Sequence, residues 1–231
     1  MKKSNKLLLG GFLLVVLLIS AIHITLYAKY KNGDYTIYRE QVEEAPQSMQ
    51  TFPNILFVSV RNVPGATARF SDVAQVEKAS EEDIQYIRKG DTLLITGSGS
   101  AKEAGISHPV VFHLPSNATL ALFNSSLSFE GSNKMVGNNL VINLEKSNAR
   151  FSATATPLQL GHVKVIASNG STAAFHGNTH VNHLDVQLSH SSIEYTEGNL
   201  GQLSIITDSL SHISVPSKHL LKANIKTIAP Q

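Results

Sequence analysis

Five short segments in the C-terminal half of this chain follow one pattern and recur at intervals of 20 to 24 residues. Each has an alternating apolar stretch, a polar corner of Ser, Asn, His or Gly, and a second alternating stretch. The segments are LALFNSSLSFEG from Leu120, LVINLEKSNARF from Leu140, VKVIASNGSTAAF from Val163, LDVQLSHSSIEY from Leu184 and LSIITDSLSHISV from Leu203. Self-similarity at a nearly fixed period is the signature of a repeat architecture, so this pattern constrains the fold more than any other feature.

The last apolar position of each segment defines the period. These positions are Phe129, Phe151, Phe175, Tyr195 and Val215. Alternation of apolar and polar residues is typical of half-buried strands. Two or three short strands per repeat fit one coil of a β-solenoid, in which equivalent residues stack at about 4.8 Å, the spacing between strands. We therefore predict an all-β, single-domain β-solenoid with these five residues as an internal column. An antiparallel sandwich, in which the aromatic residues merely share a core, is the alternative.

The polar corners fall at equivalent places in the repeats. They comprise residues 124–126, 147–148, 168–171 and 189–192. Asn, Ser and Gly tolerate tight turns and hydrogen-bond to nearby backbone groups. This chemistry favours a structural role for the corners over the alternative, a ridge that binds a ligand.

The N-terminal region contains an apolar run over residues 7–27, interrupted only by Ser20, His23 and Thr25. As a helix the run spans about 31 Å, which matches the hydrocarbon core of a bilayer. Three lysines precede it, at positions 2, 3 and 6. This charge bias predicts a cytoplasmic N-terminus and an exported remainder.

We predict a cytoplasmic tail (1–6), a transmembrane signal anchor (7–28), a polar tether (29–50) and an exported β-solenoid domain (51–229). The alternative for the apolar run is a cleaved signal peptide. The run is long for a signal peptide, and no small-x-small cleavage site follows it cleanly: Leu26 stands two residues before Ala28 and Ile19 two before Ala21.

Composition excludes several classes of function. The chain has no cysteine, so it has neither disulfides nor thiol chemistry nor cysteine-based metal sites. Five of the 19 basic residues flank the apolar run, and the remaining 14 stand against all 17 acidic residues, so the exported part is slightly acidic. A basic patch with interleaved aromatic residues is absent from the sequence, and we predict no nucleic-acid partner.

The first half of the exported part also predicts strands. Alternating or β-branched stretches cover residues 55–60, 66–70, 73–79, 84–88, 92–96 and 110–114. Turn residues separate them, among them the stretch from Asn62 to Gly65 and the Lys89-Gly90-Asp91 sequence. This region therefore extends the β-structure of the repeats.

The order of these motifs resembles the head-GIN, or auto-transporter adhesin, domain family of bacterial envelope proteins. The resemblance rests on VSVRNVPGATARF, DIQYIRKGDTLLITG, a V-x-F-x-L-P strand and the repeated L-x-L-x-x-S-x-S-x-I-x-Y units, and it covers residues 52–229. The corners depart from the family's usual Gly-Ser-Gly turns, with Asn-Ser-Ser or Ser-His-Ser-Ser instead. The resemblance implies a β-solenoid and a surface or envelope role, and it implies no established reaction.

A carbohydrate-active enzyme on this fold would need two carboxylates within about 5–10 Å of each other. The repeat alignment places Lys164 and Ser204 beside Asp185, and Ala174 and Ser214 beside Glu194. The candidates for such a pair are Asp185, Glu194, Glu197 and Asp208, and the enzyme hypothesis fails if these four carboxylates lie far from one another. Because none of the aligned pairs joins two carboxylates, we predict no catalytic site.

Histidines cluster in the segment HGNTHVNHLDVQLSH. His176, His180 and His183 are the weak candidates for a zinc or copper site, with Asp185 as an oxygen ligand. Strand alternation directs His183 outward and places His180 on the opposite face from it. We therefore interpret these histidines as surface residues, and predict neither a metal nor another cofactor.

The sequence as a whole predicts a non-enzymatic, membrane-anchored protein of the cell envelope that acts in binding, adhesion or scaffolding. We expect it in the inner or cytoplasmic membrane through residues 7–28, with the domain in the periplasm or outside. Its expected partner is a protein, a glycan or another copy of the chain. A carbohydrate-active enzyme and a membrane-linked sensor or regulator are the alternatives.

Overall fold

The computed structural model describes residues 3–31, 49–77, 84–97, 110–131 and 137–228. The chain divides into two compact units, residues 1–46 and 47–231.

The first unit contains helix α1 (Lys3–Lys31). Its segment Gly10–Lys29 has a mean hydropathy of 2.3 and is long and apolar enough to cross a membrane, a test that a signal sequence near an N-terminus also passes. The hydroxyls of Ser20 and Thr25 donate to carbonyl oxygens four residues earlier, which satisfies these polar groups within the helix. The predicted apolar helix is thus confirmed, whereas most of the predicted tether (29–50) lies outside the described residues.

The second unit is built from strands, with one short helix. The strands are β1 (Met49–Phe52), β2 (Phe57–Arg61), β3 (Ala66–Ser71), β4 (Ala74–Glu77), β5 (Ile84–Lys89), β6 (Thr92–Gly97), β7 (Val110–Pro115), β8 (Thr119–Phe123), β9 (Ser126–Phe129), β10 (Gly137–Glu145), β11 (Asn148–Ser168), β12 (Thr172–Ser189), β13 (Ser192–Tyr195), β14 (Asn199–Thr207), β15 (His212–Ser214) and β16 (Asn224–Thr227), with helix α2 (Ser217–Leu220) before β16.

These strands wind into a β-solenoid of about five turns, which confirms the predicted fold. Successive coils pair in parallel, so the antiparallel sandwich is wrong. We call one sheet surface face A; in spatial order it comprises β5, β6, β2, β8, β10, the end of β11, the end of β12, β14 and β16. The other surface is face B, which comprises β1, β4, β7, β3, β9, the start of β11, the start of β12, β13 and β15.

The predicted aromatic column is a stack at the centre of the coils. Phe129 pairs with Phe151, Phe151 with Phe175 and Phe175 with Tyr195 in the strand register. Centroid distances along the stack are 4.4, 4.3 and 5.7 Å, with nearly parallel rings in the first two pairs. All four side chains are buried. The aromatic rings therefore repeat at roughly the spacing of the strands that carry them.

The column ends differently from the prediction. Val215 follows the last registered pair of β13 and β15, and its half-buried side chain packs against the core. The His219 ring of α2 covers Tyr195 edge-on at 5.8 Å. Burial raises the pKa of Tyr195 to about 12, and its hydroxyl donates to the carbonyl oxygen of Thr179 at 3.2 Å. Tyrosine thus closes the stack while its one polar group stays paired.

The order of coils departs from the order of the chain at the N-terminal end of the solenoid. On face A, β2 lies between β6 and β8, and it pairs in parallel with both. On face B, β3 lies in the same way between β7 and β9. The coil made first along the chain is therefore the second in the stack, enclosed by strands that follow it in sequence.

Antiparallel strands cover this N-terminal end. β5 pairs antiparallel with β6 on face A, while β4 pairs antiparallel with β7 and β1 with β4 on face B. β1 begins at Met49, so the predicted boundary between tether and domain at residues 50 and 51 falls inside a strand. Capping by strands of reversed direction leaves only short edges exposed at this end.

Buried serines connect the corners between face A and face B. The backbone N–H groups of Val63, Ser125 and Ser147 each donate to the serine hydroxyl of the next coil, at 3.1 Å. Four serine hydroxyls of this ladder, those of Ser125, Ser147, Ser171 and Ser191, donate in turn to a backbone carbonyl oxygen two or three residues earlier. The fifth, that of Ser211, donates to the Asp208 carboxylate. Its members are Ser125, Ser147, Ser171, Ser191 and Ser211. The hydroxyls satisfy backbone groups that the turn removes from the sheet ladder.

In every corner except that of Ser211, a residue just before the serine or its equivalent adopts a left-handed conformation. Positive φ angles occur at Asn62, Asn124, Lys146, Asn169 and His190. Asparagine tolerates this region better than most residues, which explains its recurrence at three of the five positions. Turn chemistry thus accounts for the corners, as the sequence predicted.

Truncation of the central ring, Phe151→Ala, should lower the free energy of unfolding by about 3–5 kcal/mol, because it opens a cavity between two stacked rings. Chemical denaturation followed by circular dichroism measures this loss. Arg150→Ala, one residue away on the outward side of the same strand, is the matched control and should change stability by less than about 1 kcal/mol. Equal losses for both variants would contradict an internal column.

Candidate functional site

Among the described residues, side chains from several consecutive coils form two depressions on the outward surface of face A. The first is a groove of ≈ 600 Å³ near the C-terminal end, and we call it the histidine groove. It is lined by His162, His183, Leu184, Asp185, Gln202, Leu203, Ser204, Lys222 and Asn224. The second is a shallower depression of ≈ 220 Å³, and we call it the phenylalanine depression. It is lined by Ser59, Arg61, Ala121, Leu122, Phe123, Asn143, Leu144, Glu145, Ile166 and Ser168.

A bend in the backbone directly precedes His162, His183 and Gln202, which line the histidine groove. A Cβ atom at Gly161 would collide with the carbonyl oxygen of Asn138, and one at Gly201 would collide with that of Asn182. The coils therefore approach each other closely where the chain turns onto face A. His162 pairs with His183 in the register, and His183 with Gln202, immediately after this bend.

The polar groups of the groove are partly joined to each other. His162 Nε2 donates to Asp185 Oδ2 at 2.7 Å across adjacent coils. The rings of His162 and His183 lie edge to face at 6.1 Å. Buried Leu184 and Leu203 form an apolar floor beneath these side chains. The groove thus combines an apolar base with polar walls, the usual composition of a ligand site.

An exposed aromatic ring marks the phenylalanine depression. Phe123 is 39% exposed on β8, and the register places Arg61 and Glu145 on either side of it. Asn143 and Ser59 lie on the neighbouring strands. A flat ring flanked by a guanidinium, a carboxylate and an amide can contact a ligand by stacking and by directed hydrogen bonds.

The structure separates the three predicted histidine candidates. The His176 ring contacts the Thr196 hydroxyl at 2.9 Å, and the His180 ring contacts the Asn178 side-chain oxygen at 2.8 Å. Only His183 lies in the histidine groove. Among the described residues, no three His, Cys, Asp or Glu side chains form a group that could hold a metal ion.

The expectation that His180 and His183 face opposite ways is wrong. Between them Val181 is buried, while Asn182 and His183 are both exposed. The bend onto face A breaks the two-residue alternation at this point, so both histidines lie on the outside. The alternation rule holds only within one straight strand.

The carboxylates weighed for an enzyme lie on different parts of the coil. Asp185 lines face A and Glu194 belongs to β13 of face B. Glu197 follows β13 in an exposed turn, and Asp208 lies at the serine corner after β14. The register places Lys164 and Ser204 beside Asp185, and Ala174 and Ser214 beside Glu194, as the repeat alignment predicted.

Asp208 is engaged in the last serine corner. Its carboxylate accepts hydrogen bonds from the Ser211 hydroxyl at 2.6 Å and from the backbone N–H groups of His190 and Leu210. The hydrogen bond from Ser211 is the largest cause that lowers the pKa of Asp208, and burial opposes it. The carboxylate therefore accepts the N–H of His190, whereas the equivalent N–H groups of the earlier corners donate to backbone carbonyl oxygens.

An ion network on face B escaped the sequence analysis. Arg69 contacts Glu77 at 3.3 Å and Glu130 at 2.9 Å, and His113 contacts Glu77 at 3.1 Å. Arg69, Glu77 and His113 belong to β3, β4 and β7, which lie outside the aligned repeats, and Glu130 directly follows β9 of the first repeat. The network joins the antiparallel cap to the parallel coils, and exposure of Arg69 limits its contribution to stability.

No family model and no curated protein matches this chain. Two solved structures are similar to it in outline. One is described as a "putative adhesin" from Bacteroides fragilis, with 15% identity, coverage of 78% of this chain and 96% of that one, and a TM-score of 0.40. Another is a "putative cell adhesion protein" from Clostridium sporogenes, with 10% identity, coverage of 79% and 95%, and a TM-score of 0.23. Likenesses at this level carry no conclusion about function.

The lowered pKa of Asp208 predicts an acid-dependent loss of stability. Because the folded pKa of Asp208 lies below the ordinary value of an aspartate, the ionised carboxylate stabilises the fold above about pH 4, and this contribution disappears as the pH falls through the folded pKa. Asp208→Asn should lower the unfolding midpoint at pH 7, and the difference from the wild type should shrink below pH 4. Glu194→Gln on face B is the control, and an equal pH dependence in both variants would contradict the assignment.

Proposed function

We propose that this protein is a non-catalytic binding protein of the cell envelope. Residues 7–28 anchor it in the cytoplasmic membrane, and the solenoid lies on the outer side of that membrane. Face A binds an extended partner, a glycan or a protein, in an adhesive or scaffolding role. The head-GIN resemblance supports the envelope assignment, since that family implies a surface role.

The observation that carries this proposal is the register of face A. Outward positions of successive coils form continuous rows, because parallel pairing sets each residue beside its equivalent. The central row comprises Leu94, Ser59, Ala121, Asn143, Ile166, Gln187, Ile206 and Lys226. Mixed apolar and polar rows with few charges are the composition expected of a binding surface. Repeat proteins use such extended surfaces for binding.

The phenylalanine depression supplies the anchor on this surface. Phe123 remains 39% exposed although most large apolar side chains of the solenoid are buried. Aromatic residues and arginine dominate the energetic centres of interfaces, and Arg61 lies beside Phe123. We therefore assign Phe123 as the main contact residue of face A.

A carbohydrate-active enzyme is less well supported than a binding protein. The enzyme needs two free carboxylates that face one substrate. Asp185 is hydrogen-bonded to His162, and Asp208 is held in its corner by three donors. The remaining two candidates belong to other sides of the coil. A sensor or regulator has no specific observation in its favour.

Phe123→Ala should weaken the binding of an envelope polymer to the full chain in neutral nanodiscs by about tenfold or more, because an exposed aromatic anchor is lost. A panel of purified envelope glycans and proteins, tested by biolayer interferometry, measures the affinity. The bound polymer should keep its length during incubation, as size-exclusion chromatography reports.

The matched control is Arg150→Ala, which alters an exposed side chain of face B at mid-solenoid. It should leave the affinity unchanged within about twofold. Shortened polymer products would contradict a non-catalytic role. An equal loss of affinity in both variants, or none in Phe123→Ala, would contradict the assignment of face A.

A further inference from the structure

We propose that the histidine groove is a subsite for the anionic group of a glycan, either a carboxylate or a phosphate. The inference rests on the proposed function and narrows it, since it names the chemical class of the ligand. It assigns the C-terminal end of face A to charge recognition and the phenylalanine depression to stacking.

The positive charges around the groove are the first argument. Lys222 lines it, Lys164 lies beside Asp185 in the register, and Lys226 stands on the central row of face A. Within the described ranges, none of these three lysines forms an ion pair. Lysines at and near the groove that have no ion pair among the described residues favour a ligand of opposite charge.

The distribution of acidic residues is the second argument. Asp185 is the one carboxylate among the lining residues, and His162 donates a hydrogen bond to it. From residue 209 to residue 228 the sequence has three lysines and two histidines, and neither Asp nor Glu. The C-terminal coil therefore presents a cationic edge to the groove, although the exported part as a whole is slightly acidic.

The shape and the remaining polar groups favour a sugar over a bare ion. The groove has a volume of ≈ 600 Å³, within the range of about 300–1,000 Å³ that is typical of small-molecule sites. Gln202, Ser204 and Asn224 supply neutral donors and acceptors along its wall, and Leu184 and Leu203 form its apolar floor. Hydroxyl groups suit the amide and hydroxyl side chains, and the anionic substituent suits Lys222.

The location of the groove supports an extended ligand. The groove and the phenylalanine depression share face A, and the strands β8, β10, β11, β12 and β14 run between them in register. A chain that stacks on Phe123 and crosses these strands reaches Lys222. The inference therefore requires both residues for full affinity of a long polymer.

The test uses the full chain in neutral nanodiscs with four probes: polygalacturonate, a phosphate-bearing teichoic acid, neutral dextran and polyglutamate. The double variant Lys222→Gln/Lys226→Gln should bind the preferred anionic glycan about tenfold more weakly than the wild type in isothermal titration calorimetry. Added salt should weaken wild-type binding more than variant binding, because it screens the same charges. The polygalacturonate and teichoic acid arms distinguish carboxylate from phosphate.

Arg88→Gln/Lys89→Gln is the matched control, since it removes two exposed charges from β5 at the opposite end of face A. It should leave affinity within about twofold of the wild type. Equal affinity for dextran, unchanged affinity in the Lys222→Gln/Lys226→Gln variant, binding of polyglutamate alone, or no binding of either anionic glycan would overturn this inference. The Phe123→Ala variant tests the proposed function separately. If any of these results is obtained but Phe123→Ala still weakens binding of a polymer, the proposed function stands without the anionic subsite. If Phe123→Ala does not change the affinity, the proposed function is rejected as well.

Discussion

Parallel pairing between neighbouring coils is the constraint on which the rest of this structure depends. A single coil of 20 to 24 residues cannot enclose a core, so each coil buries its apolar side chains only against the next one. Because the pairing is in register, each inward residue meets its own equivalent. The stack of Phe129, Phe151, Phe175 and Tyr195 follows from this geometry, as do the serine hydroxyls that link corner to corner.

The same register gives the inward and outward positions of each strand different roles, stability for the inward ones and function for the outward ones. Inward positions are fixed by volume and by the need to stack, and their residues are nearly all apolar. Outward positions are free to vary without loss of the core. Variation on face A produces a depression with an exposed aromatic ring in the middle coils and a polar groove lined by Lys222 near the last coils. The fold explains where these surfaces lie, and the side chains decide what they can bind.

The sequence predicted the features that repeat, and it failed where repetition ends. The stack of Phe151 and Phe175 could be predicted because the same residue type recurs at the same place in their repeat segments. The insertion of β2 between β6 and β8 leaves no such signal, since its partners lie about 35 and 62 residues away with no common period. His162 was missed because its importance depends on the bend at Gly161 and on Asp185 in the next coil.

Disulfide trapping in this naturally cysteine-free chain tests the coil order most directly. Ser59 pairs with Ala121 on adjacent strands, whereas Leu94 is separated from Ala121 by the strand of Ser59. A disulfide needs Cα atoms about 4.4–6.8 Å apart, close to one strand spacing and well short of two. We predict that Ser59→Cys/Ala121→Cys forms a disulfide under mild oxidation and that Leu94→Cys/Ala121→Cys does not. A disulfide in the second variant alone would contradict this arrangement of coils.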